Sequence, residues 1–250
     1  MSKLKRLFYD IEVSPGLYWA WRPGHNINLS YKNQLKEAAI ICVSWKWEGK
    51  KKVHHLTWDK NQCDKSLIQK FIAVLDEADE ICGHNADAFD LKWVRTRAIK
   101  HGIPMSPTFV AYDTWKEAKN LFRFDSASLD YITKYLGVSR KMDTGGSDLW
   151  VDVVFNESFA ALSKMVKYCD RDVVAQSEVF EKMKPYIKSK SNVSEYRSSC
   201  PECGSANVTI AKRRVRASGA RQIQFRCSDC GRYHQLSEIQ FYKGKEGKVI

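Results

Sequence analysis

The chain has 250 residues, 44% hydrophobic and 28% charged, with a formal net charge of +12. That length and balance suit a globular protein of one large or two unequal domains, and no apolar run approaches the roughly 20 residues of a membrane span. The apolar stretch behind the basic start, Met1 to Leu7, is interrupted by Asp10 and Glu12 and is too short for a signal-peptide core, so the expected location is the cytoplasm, with no membrane partner.

In chain order, Lys5 to Val13 reads as a strand that Ser14-Pro15-Gly16 ends. Ala38 to Lys46 and Lys52 to Thr57 read as a second and third strand with a turn near Glu48-Gly49. Asp64 to Ala78 carries Leu67, Ile68, Phe71, Ile72 and Leu75 at helical spacing. Glu80 to Gly83 is a short strand, and Asp90 to His101 a helix stopped by Gly102 and Pro104. A strand over Phe109 to Thr114 and a helix over Ser126 to Leu136, opened by Ser126 or Ser128, come next. Gly137 and Gly145-Gly146 bracket a loop, and Lys141 to Gly146 is a flexible candidate for touching substrate. Ser158 to Met183 is the last long helix. This order predicts an α/β layer fold with a mixed sheet flanked by helices. Domains are expected at 1–187 and 199–250, joined by a polar, Ser-rich linker at 188–198.

Charge is uneven. From Tyr186 onward there are 13 Lys/Arg against 5 Asp/Glu, whereas the first 185 residues carry 28 against 24. A basic tail on a nearly balanced body points to a polyanion partner.

Three local acidic patterns stand out. Asp10 and Glu12 are two apart on a strand and leave one face together, a spacing that suits a hard, oxygen-liganded divalent ion but also a solvent-facing strand end. Asn85 and Asp90 lead into a helix, with Phe89 as a core anchor aiming Asp90 inward. Tyr168 and Asp172 are one turn apart and share a helix face, a pattern that also fits a half-buried Tyr beside a surface Asp. Asp170 lies off that face and reads as a solvated charge. His84 reads as structural, and Trp19, Trp21 and Phe122 as packing residues rather than base-stacking ones. Cys42, Cys63, Cys82 and Cys169 read as ordinary buried or half-buried thiols.

Taken together and in this order, the three patterns resemble the DEDDy 3′–5′ exonucleases of the ribonuclease H-like (DnaQ-like) superfamily, most of all the exonuclease domain of family B DNA polymerases. The likeness covers about residues 5–185 and includes Asp113-Thr114, Ser128-Leu129-Asp130-Tyr131-Ile132 and Leu136-Gly137. The whole chain is similar to stand-alone exonucleases of bacteriophages, which would place it in a bacterial or phage-infected cell. The resemblance implies that Asp10, Glu12 and Asp172 ligate the metal that activates the attacking water. Asp10 would also reach a second metal supported by Asp90, both ions being Mg2+ or Mn2+. It further implies that Tyr168 orients the water, that Asn85 contacts the substrate strand, and that the backbone around Ile11 and Val13 meets the terminal nucleotide. DNA is the implied substrate, with RNA left open, and the implied product is a 5′-mononucleotide. A polymerase or recombination partner also stays open.

Cys200-x-x-Cys203 and Cys227-x-x-Cys230, each followed by Gly, have the spacing of a four-thiolate zinc site. Val208-Thr209-Ile210 and Ile223-Gln224-Phe225 would be the strands of a small zinc ribbon, whose folding one structural Zn2+ would support. Lys212, Arg213, Arg214, Arg216 and Arg221 lie between the knuckles, where a basic hairpin can grip phosphates without reading sequence. A solvated loop or a protein-docking surface fits the same residues.

Overall fold

A computed structural model describes residues 4–22, 24, 26–139 and 146–243. The loop expected at Lys141 to Gly146 lies, but for Gly146, outside the described residues. Strand β1 (Arg6–Val13) pairs antiparallel with β4 (Ile40–Trp47) and parallel with β6 (Glu80–Gly83). With β5 (His54–Thr57) and β7 (Ala111–Asp113) at the edges, the mixed five-stranded sheet runs β5-β4-β1-β6-β7. A two-stranded hairpin, β2 (Leu17–Tyr18) with β3 (Gln34–Lys36), leaves the sheet between β1 and β4; its weak apolar pattern gave no strand signal in the sequence.

Alternation along β1 sorts its side chains to two layers. Leu7, Tyr9 and Ile11 pack with Phe71 of α1 (Lys65–Asp76) and Val94 of α2 (Asp90–His101). Phe8 packs on the other face with Val173, Val179 and Phe180 of α6 (Phe159–Met183). Asp10 and Glu12, in phase with Phe8, therefore leave the sheet on the α6 side. Ser158 caps α6 by accepting from the Ala161 N–H. Three short helices have no counterpart among the elements expected from the sequence: α3 (Thr114–Leu121), α5 (Asp148–Val154) and α7 (Glu238–Lys243). The last two are under two turns long, and α3 buries only Thr114 and Ala118, so none carries a sustained run of large apolar residues at helical spacing. Helix α4 (Leu129–Leu136) starts at the Ser128 cap and ends at Gly137, whose φ of 63° a side chain would resist.

The cysteine-rich tail forms its own antiparallel sheet in the order β10 (Tyr233–Ser237), β9 (Arg221–Cys227), β8 (Val208–Val215), and α7 (Glu238–Lys243) follows. The segment expected as a linker is tied down. The Tyr112 hydroxyl donates to the Lys188 carbonyl (3.3 Å) and accepts from Lys190 N–H (2.6 Å), and Val193 N–H donates to the Pro201 carbonyl (2.9 Å). Among the described residues no helix is long and apolar enough to cross a membrane.

Candidate active site

Strand β6 pairs with β1 over Arg6 to Phe8. Beyond Phe8 the β6 side of β1 opens, and its backbone groups need other partners. The Ile11 N–H donates to Asp90 Oδ1 (3.1 Å), and the Tyr9 carbonyl accepts from Gln176 Nε2 (2.7 Å). Asp90 is thus clamped to the peptide between Asp10 and Glu12. Carboxylate oxygens of Asp10 and Glu12 lie within 4.8 Å of each other and of Cys169 Sγ.

Helix α6 crosses this part of β1. Cys169 donates to the Asp10 carbonyl (3.3 Å) and lies 3.6 Å from Asp10 Oδ2. With Gln176 bound to Tyr9 two turns later, Asp172 sits between two residues that face β1; it is buried, as is Tyr168, whose ring meets Trp150 edge-on at 6.4 Å. Burial first, then Cys42 and the charges of Asp10 and Glu12, push the Cys169 thiol well up. It therefore stays S–H, and the Asp10–Glu12 group offers oxygens, which suit magnesium or manganese rather than a thiophilic ion. Cys169 is buried, as expected, and also holds a strand carbonyl.

Burial pushes Asp90 up to about 7, against N–H donation from its own backbone and Ile11, while Asp113 adds repulsion. The loop that delivers Asp90 is organised by Asp113. Its carboxylate accepts from Asn85 N (2.8 Å) and Asp87 N (3.3 Å), and also from Trp115 N (3.0 Å) in the first turn of α3. Asn85 has a left-handed φ of 64°, which Asn tolerates. His84 bridges Thr114 Oγ1 (2.8 Å) and the Ala127 carbonyl (3.0 Å), a structural part. A Cβ at Gly83 would fall 2.3 Å from that of Ala86, so this close turn requires glycine.

Beside Val13 opens a cavity of ≈ 990 Å³, with Tyr18, Phe89, Trp93 and Trp150 in its walls. The Val13 carbonyl accepts from the Trp150 indole N–H (3.1 Å). Of the aromatics expected to pack, Trp19 and Trp21 meet edge-on at 5.3 Å but lie outside the core, 39% and 91% exposed, whereas Phe122 stacks on Phe124. Asp170 is not a freely solvated charge, because it accepts from Ser44 Oγ (2.7 Å) and meets His55 at 3.3 Å, pinning α6 to β4. A second acidic group, Asp64 with His101 and Cys63, is structural: Arg97 binds both Asp64 oxygens at 2.7 and 2.9 Å.

In the tail, the sulfurs of Cys200, Cys203, Cys227 and Cys230 all lie within 4.8 Å of one another. The Cys200–Cys230 and Cys203–Cys227 pairs are 3.6 Å apart, close to the about 3.8 Å edge of a tetrahedron with 2.3 Å zinc–sulfur bonds. Gly204 and Gly231, both at φ 73°, close the knuckles by donating to the Cys200 and Cys227 carbonyls. The donor set is compatible with zinc. His234 stacks on Phe225 at 5.1 Å, inside the ribbon.

Residues 32–184 match the family model RNase_H_2, described as RNase_H superfamily. The chain belongs to the ribonuclease H superfamily. The matched span holds Asp90, Tyr168 and Asp172 but starts after β1, so Asp10 and Glu12 enter through the fold alone. The family B DNA polymerase from the hyperthermophilic archaeon Pyrobaculum calidifontis is structurally similar, with TM-score 0.56 and 18% identity. The likeness covers 74% of this chain and 25% of that one, so the protein spans about a quarter of the polymerase's length. No curated protein matches the chain.

Proposed function

We propose that the protein is a metal-dependent 3′–5′ exonuclease acting on DNA, with residues 1–187 as the nuclease domain and residues 199–250 as a zinc ribbon that aids nucleic-acid binding. One observation carries the reading: Asp10 and Glu12 present adjacent carboxylates on one face of β1 while Asp90 is fastened to the peptide between them. Such an acidic group, backed by a buried Asp172, fits a pair of Mg2+ or Mn2+ ions held by Asp10, Glu12, Asp90 and Asp172. When bound, paired cations lower the pKa of water and stabilise the charge that a phosphodiester develops during hydrolysis.

The chain's own residues do the rest. Tyr168, one turn before Asp172 on α6, would hold a water or phosphate oxygen. Asn85 and the β1 backbone around Ile11 and Val13 border the place of the terminal nucleotide. The aromatic walls of the cavity beside Val13 suit an unpaired base, because every base has a stackable face. The ribbon adds affinity by tethering a second contact to the same chain.

The test is a time course on 3′- and 5′-labelled DNA and RNA of equal sequence, in magnesium or manganese. Stepwise loss of 3′ nucleotides from DNA is expected. Asp10→Ala and Asp172→Ala should each abolish cleavage while retaining DNA. Full activity in either purified variant overturns the reading, and faster loss from RNA moves it to an exoribonuclease.

A further inference from the structure

The basic residues of the ribbon do not form one patch. Directly paired residues of an antiparallel sheet share a side, so the register with β9 sorts them. Ile223 and Phe225 are buried, and Arg213 stands opposite Ile223. Arg221 lies two residues before Ile223 on the same strand and so on the same side. Both arginines reach Glu238 at the start of α7, at 3.3 and 3.8 Å, while Phe241 of α7 packs on Phe225. The apolar part of that side is thus covered by α7, and the two arginines, though 52% and 72% exposed, share the Glu238 carboxylate and are partly neutralised.

A register shift between Ile210 and Lys212 turns the next residues over. Lys212 pairs with Gln224 and Arg214 with Gln222, which places both cations on the opposite side. Arg226, exposed and two residues from Gln224, is there too, with Tyr233 paired to it and its guanidinium 5.9 Å above the Tyr233 ring. Gln235, opposite Gln224, completes the surface. Among the described residues, no carboxylate of the three strands lies on this face.

We propose that this outer face, with Lys212, Arg214 and Arg226 as its cations and Tyr233 beside them, is the surface that grips the polynucleotide backbone, and that Arg213 and Arg221 serve the fold through Glu238. Three exposed cations on one sheet face neutralise backbone phosphates, and a half-exposed tyrosine stacks or packs on sugar and base. The inference rests on the nuclease reading only in taking the bound polymer to be the substrate.

The test compares two double variants of equal charge change in an Asp172→Ala background, without chelator, so that zinc is kept. Binding of a fluorescein-labelled 30-nucleotide strand, and of the matching duplex, is followed by anisotropy across a salt series. Arg214→Gln with Arg226→Gln should weaken binding about tenfold and flatten the salt slope for the single strand by about 1.4. Arg213→Gln with Arg221→Gln should stay within about twofold. Equal weakening by both pairs, or no effect from the first, overturns the proposal. If either double variant loses zinc, the single substitutions Lys212→Gln and Arg221→Gln repeat the contrast. A failed nuclease reading shows itself separately, as wild-type protein that leaves labelled DNA intact while the binding contrast persists.

Discussion

Asp90 concentrates the electrostatic problem of this site in one side chain. Burial raises its pKa to about 7 from an ordinary 3.8, so the folded protein favours the protonated carboxyl. The stability this contributes is complete below the unfolded pKa and is lost as pH rises through about 7. Without magnesium, wild type and Asp90→Asn should therefore melt together only below about pH 3.8, and wild type should fall progressively below the variant as pH rises to about 7, staying below it at pH 8. Differential scanning fluorimetry checks this. Adding magnesium at pH 8 should raise the melting temperature of wild type and leave Asp90→Asn less affected, because a cation relieves the charge that the asparagine lacks.

Helix α6 and strand β1 act as a pair at the next scale. The sheet stops pairing on one side of β1 at Phe8, and side chains from α2 and α6 take up the freed Ile11 amide and Tyr9 carbonyl. Gln176 is 1% exposed, so its bond to Tyr9 is shielded from water. Gln176→Ala should cost about 1–3 kcal/mol by leaving a buried carbonyl unmatched. Because Asp172 rides on the same helix, activity should fall more than melting temperature alone explains. Urea denaturation and single-turnover hydrolysis, measured together, separate the two effects; unchanged hydrolysis would show that Gln176 does not register the helix.

The whole molecule is held together by a buried charge network at the opposite end of β1. Arg6, fully buried, contacts Glu48 (2.8 Å), Glu80 (2.5 Å) and Glu202 (2.9 Å). Burial opposes its charge, yet those three carboxylates raise its pKa above the ordinary value. Glu202 sits between Cys200 and Cys203 of the four-cysteine cluster and also meets Arg232 (2.8 Å) and Lys184 (3.2 Å). Burial would raise Glu202, but Arg6, Arg232 and Lys184 bring it down to about 2. The ribbon is therefore bolted to the strand that carries Asp10 and to the end of the helix that carries Asp172. Glu202→Gln should destabilise this junction by about 3 kcal/mol, since it leaves buried guanidinium charge undercompensated. Trypsin should then cut faster within 188–198; an unchanged digestion pattern would mean that other contacts dock the ribbon.

Much of this was readable from local spacing. A period of two put Asp10 and Glu12 on one face, a period of 3.6 put Tyr168 and Asp172 on another, and paired cysteine knuckles announced the ribbon; each is a short-range pattern set by backbone geometry. Helices α5 and α7 were not readable because fewer than two turns leave no period to detect, and α3 because it buries only Thr114 and Ala118 and so shows no large apolar stripe. Nor were the contacts of Arg6 with Glu202, 196 residues apart, the thiol of Cys169 on Asp10, or the register shift between Ile210 and Lys212 that decides which cations face outward. By itself the chain determined the elements and the chemistry they carry, because those follow from neighbouring residues. Which side chains meet, which charges are buried, and which face of the ribbon stays open were decided only by tertiary packing, since desolvation and pairing exist only once distant segments are in contact.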